Sequence, residues 1–61
     1  MSVKVLMVQS NDGIVEMATF VDENGRMNRA DCSALKINSD DVDYEKLAKI
    51  IEAQIKLDRK W

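Results

Sequence analysis

The side chains of this 61-residue chain that could do chemistry are few and poorly spaced for it. There is no histidine. That removes an imidazole general base, a Cys–His couple and an imidazole metal ligand. The single cysteine, Cys32, follows Asp31. A neighbouring carboxylate opposes formation of the thiolate, the nucleophilic form. Cys32 therefore reads as a small, partly buried packing residue. Asp40, Asp41, Asp43 and Glu45 form an acidic run. The run lacks the central glycine and the closing bidentate glutamate that a calcium-binding EF-hand loop requires. Helix capping explains it better. Gly13 and Gly25 build no phosphate-cradling loop. No two carboxylates are marked for general acid–base work. The expectation is a non-catalytic chain with no metal and no cofactor.

Two basic clusters could meet a phosphate backbone. Arg26, Arg29 and Lys36 form one, and Lys56, Arg59 and Lys60 the other. Asp31 interrupts the first and Asp58 the second. A single-strand binder also needs aromatic rings on the same surface. Only Phe20 is placed to supply one. Nucleic-acid binding through these six residues is thus the secondary reading, and a solvated mixed-charge surface the simpler one.

The elements that must position these residues fit one small domain over residues 1–61. Hydrophobic residues make up 46% of the chain and charged residues 33%, with a net charge of −2. This is too apolar for a disordered tail and too neutral for a basic clamp. A chain of this length buries only roughly 60% of its unfolded surface. It cannot enclose a large cleft and still keep a core. One cysteine cannot form an internal disulfide. The first residues lack the basic start and cleavage site of a signal peptide. No run approaches the roughly 18 apolar residues that span a bilayer. We expect a reducing, cytoplasmic setting and no membrane partner. A domain this small without staples commonly gains stability from a partner chain.

Residues 2–9 are apolar and partly β-branched, which suits a strand. Asp12-Gly13 is a hairpin signal. Residues 14–22 make a second strand, with Val15, Met17 and Val21 on one face and Ile14, Ala18 and Phe20 on the other. Asn24-Gly25 signals a second turn of the same kind. Part of residues 26–38 then forms a third strand, bulged or broken near Asp31, with a short helical turn over 30–36 as the alternative. A helix follows over 43–60. Asp43 is its N-cap, and Val42 staples over Leu47. Acids crowd its first turn and bases its last, as the helix dipole favours. The expected fold is α+β: an antiparallel three-stranded meander, β-β-β-α, with the C-terminal helix packed on the sheet.

At about 100° per residue, Tyr44, Leu47, Ala48, Ile51 and Ile55 share one stripe, which should lie on the sheet. Ile50, Leu57 and Trp61 form a second stripe beside it, with Gln54 between them. A short three-stranded sheet can cover the first stripe more readily than both. The second stripe is therefore the candidate protein interface. A wider, curled sheet burying both stripes is the competing reading. An amphipathic membrane helix is a weaker one, because the sheet needs its apolar face. Strand addition through residues 3–9, guarded only by Lys4, is a further way to meet a partner. The composition points to a small protein-binding regulator or inhibitor, working as a homodimer or on a larger protein. Accessory proteins of phages and other mobile elements have this style.

Overall fold

The structure, a computed structural model, describes residues 2–58. Strand β1 runs over Lys4–Asn11, β2 over Ile14–Val21 and β3 over Met27–Asp31. A 3-10 turn, η1, covers Ser33–Leu35, and helix α1 covers Tyr44–Asp58. The strands form one antiparallel sheet in the order β1-β2-β3. The α+β meander with a C-terminal helix on the sheet is therefore the fold.

The first hairpin closes through Asp12 and Gly13, both with positive φ (54° and 78°). Asn11 pairs with Ile14 around this two-residue loop. Two left-handed residues in succession match the right-handed twist of the flanking strands. The second turn differs from the expectation. Only Gly25 takes positive φ there (77°). The Gly25 N–H donates to the Asp22 carbonyl, and the Asp22 N–H to the Arg26 carbonyl. This is a three-residue loop ending in a left-handed glycine. The Asp22 carboxylate organises it by accepting the Asn24 and Arg26 N–H groups at 2.9 and 3.0 Å.

Two bulges change the face assignment read from the sequence. Val5 pairs with Phe20 but Met7 pairs with Thr19, so Leu6 is an extra residue in β1. Gln9 pairs with Met17 but Ser10 pairs with Val15, so Glu16 is an extra residue in β2. Each bulge shifts the alternation of side chains by one position. Val15 thereby joins Ala18 and Phe20 on the core face, not Met17 and Val21 on the other. All three are buried, together with Val3, Val5, Cys32, Leu47, Ala48 and Ile51.

The third strand is broken where the sequence suggested, and the alternative turn also forms. After Asp31 the chain drops Cys32 into the core and turns through η1. Lys36 ends the turn in the left-handed region, with φ 55°. The chain then rejoins the edge of β2. The Val15 N–H donates to the Ile37 carbonyl at 2.9 Å, and the Ser39 N–H to the Gly13 carbonyl at 2.8 Å. The interruption thus leaves the β2 edge paired there, and brings Ile37 against the core.

Helix α1 begins as its sequence dictates. Asp43 Oδ1 accepts the N–H groups of Glu45 and Lys46 at 3.0 and 3.2 Å. These are two of the donors a helix start leaves unpaired. Val42 packs against the core, of which Leu47 is a member. Tyr44 departs from the expectation. It is the first helical residue and is 42% exposed, so it stands off the sheet. The helix packs mainly on β1. The Val3 N–H donates to Glu52 Oε1 at 2.8 Å and ties the start of the sheet to the middle of the helix. Among the described residues no helix is long and apolar enough to cross a membrane.

Candidate functional site

Because α1 lies toward β1, the core side of β3 is left uncovered by the helix. An open groove of about 430 Å³ results. Its floor is Phe20, Ala30 and Cys32, and its walls are Leu35 from η1 and Ile50, Ile51 and Ile55 from α1. Arg29, Asp31 and Gln54 are the polar residues that line it. A second hollow of about 200 Å³ shares Phe20, Arg29 and Ile55 with it and reaches the Asp22–Asn24 turn. The second hollow is the more polar of the two in its residues, with Asp22, Glu23, Asn24 and Asn28 beside the shared ones.

Ile50, expected at an interface, is therefore a wall of the groove and is 36% exposed. Leu57 lies on the same helical stripe, two turns further along, and is 61% exposed. Trp61 lies outside the described residues, as do Arg59 and Lys60. The sequence does not point to Phe20, Ala30 and Leu35 as parts of a protein-binding groove. No periodicity marks them, since only the placement of the helix and the break after Asp31 bring them beside Ile50.

The basic residues of the first cluster are spread apart. Arg26 precedes β3 and Lys36 follows η1, so the length of the strand, about 17 Å, separates them. Arg29 stands between them, within β3. Lys56 is exposed in the last described turn of α1. Acids lie among these bases and are held ionised. The hydrogen bond from the Arg26 N–H, with those from the Asn24 N–H and the Asn28 amide, outweighs desolvation and keeps the Asp22 carboxyl below its ordinary value. The Ser33 N–H and hydroxyl do the same for Asp31, both bonding its Oδ1 at 2.9 and 2.8 Å.

Cys32 is more deeply buried than the sequence suggested, at 1% exposure. Burial, and then the charge of Asp31, push its thiol above the ordinary value. Its Sγ lies 3.6 Å from the Ala30 carbonyl, as a weak donor. This is packing chemistry, not nucleophile chemistry.

The opposite face of the sheet carries three cross-strand rows: Lys4-Val21-Met27, Met7-Thr19-Arg29 and Gln9-Met17-Asp31. Met7 and Met27 are exposed there, Met27 at 69%. Methionine surfaces of this kind adapt to varied partners. No family model, no curated protein and no solved structure matches the chain.

Proposed function

We propose that the protein is a small non-catalytic protein-binding module that works as a homodimer and regulates or inhibits a larger protein. One observation carries this reading: the groove between α1 and β3. It is lined mainly by apolar residues from four elements, β2, β3, η1 and α1, with Arg29, Asp31 and Gln54 the polar ones. Concave, mainly apolar surface of this kind is what a protein anchor residue fills. Ile50 and Leu57 extend it along the helix. The small net charge and the acids beside Arg26 and Arg29 favour a protein partner over a phosphate backbone.

The test is a tagged pull-down from native lysate, with and without nuclease, comparing wild type with Ile50→Asp and Leu57→Asp. Both sites are already solvent-exposed, so the variants keep the wild-type circular dichroism. A stoichiometric protein that survives nuclease and is lost with Ile50→Asp supports the reading. A species lost only on nuclease treatment would overturn it in favour of nucleic acid.

A further inference from the structure

β3 is an edge strand of the sheet. The Cys32 N–H donates to the Glu16 carbonyl, and the Asp22 N–H to the Arg26 carbonyl. β3 pairs with β2 in unbroken register between those points. Hydrogen-bonded pairs alternate along an antiparallel ladder. The backbone groups of Asn28 and Ala30 therefore point inward to β2. Those of Met27, Arg29 and Asp31 point outward, and the other edge of β3 has no strand beside it among the described residues. The β1 edge, suggested by the sequence, is less suitable. Leu6 bulges there and breaks the row of donors and acceptors.

We propose that β3 pairs antiparallel with β3 of a second copy, with the twofold axis at Ala30, making one six-stranded sheet with both helices on one face. The outward backbone groups restrict self-pairing to registers that place odd-numbered residues opposite odd-numbered ones. A centre at Arg29 sets arginine against arginine, and a centre at Asp31 sets aspartate against aspartate. Only the centre at Ala30 sets Arg29 opposite Asp31 of the second copy, and Asp31 opposite its Arg29. Both side chains project from the outer face of the sheet, in the rows with Thr19 and Met17. Like charges directly opposite destabilise a strand pair, and opposite charges stabilise it. Each Arg29–Asp31 pairing is a hydrogen-bonded pair that exchanges two main-chain bonds. On the axis Ala30 meets Ala30 in a non-hydrogen-bonded pair, where backbones come closest and a small side chain fits best. Ser33 prepares the acid for this role, since it occupies only Oδ1 and leaves Oδ2 for a partner. The ladder ends where η1 turns away after Cys32.

This inference rests on the homodimer part of the proposed function and is independent of what fills the groove. Sedimentation over a dilution series tests it, with wild type, Arg29→Asp, Asp31→Arg and an equimolar mixture of the two variants. Each variant alone sets like charges opposite and weakens the dimer roughly ten- to a hundredfold. In the mixture every pairing is again Asp against Arg, so a heterodimer forms. Arg26→Asp, a control of equal charge change outside β3, leaves dimerisation intact. It also keeps the test sharp should Asp31→Arg disturb the turn at Ser33, since Arg29→Asp and Arg26→Asp alone then decide. Equal weakening by Arg29→Asp and Arg26→Asp, or a mixture that stays monomeric with both variants folded, overturns this interface. A wild-type chain that stays monomeric at the highest concentration overturns the homodimer itself.

Discussion

Leu47 and Ile50 sit three residues apart on the same helix, and truncating each to alanine should have very different consequences. Leu47 is 1% exposed and packs in the core with Val15, Ala18 and Phe20. Leucine-to-alanine changes at such sites cost about 2.7–5.0 kcal/mol, rising with the cavity left behind. Beside Leu47 a shallow hollow lined by Ile37, Lys46 and Ile50 opens to solvent, so the site can partly collapse. We expect a loss near the lower end, about 3 kcal/mol. A domain of this size holds only about 3–9 kcal/mol in all. The variant should thus be close to unfolding, with its melting temperature lowered by at least ~12 °C. Ile50→Ala removes atoms from a groove wall and leaves no enclosed cavity, so its cost should be about 1 kcal/mol. Thermal and urea unfolding followed by circular dichroism measures both. Equal, large losses would refute the open groove and favour a sheet that curls over both helical stripes. Equal, small losses would refute the packing of α1 on the sheet.

Other outcomes follow from particular residues. Lys36 holds a left-handed conformation that costs a side chain about 1 kcal/mol. Lys36→Gly should therefore stabilise the fold by roughly 0.5 kcal/mol after the extra freedom of glycine in the unfolded chain, seen as a raised urea midpoint. Asp43→Ala leaves the Glu45 and Lys46 N–H groups without their cap and should cost about 1 kcal/mol in the same assay. Cys32 should resist alkylation by iodoacetamide in the native state and react at once in urea. Its raised thiol value also gives a sign to the pH dependence. The contribution is full below the unfolded thiol's value, and is lost as pH rises from there toward the higher native value. A native thiol that alkylates at the rate of a free cysteine would contradict both statements.

Much of this architecture could be read from local chemistry. Asp12-Gly13 and the Asp43 cap each act within a few residues, and each forms as its sequence indicates. The turn after Asp31 is legible as an alternative because Ala30, Ala34 and Leu35 have helical spacing. The bulges at Leu6 and Glu16 were not visible, since a bulge is fixed by pairing between strands, and neither residue type announces it. Strict alternation along β2 therefore puts Val15 on the wrong face. Asn24-Gly25 misled on turn type because the Asp22 carboxylate, three residues before the glycine, holds Asn24 in a different turn. In the candidate site, Ile50 was legible from the helical wheel. Phe20, Ala30 and Leu35 were not, because they meet Ile50 only through the tilt of the helix toward β1.

The bond between Val3 and Glu52 joins residues 49 positions apart. It closes the fold across almost the whole described chain. In order of synthesis the three strands come first, with the core face of β1 and β2 bare until α1 is made. The hairpins can form early, since their contacts are local, but helix docking is a late, long-range event. The nascent meander is then a hydrophobic sheet with a free β3 edge at one side. A second nascent copy, or a chaperone, would find that edge before the helix is in place. Protein made faster than α1 docks should therefore collect as larger aggregates rather than as discrete pairs.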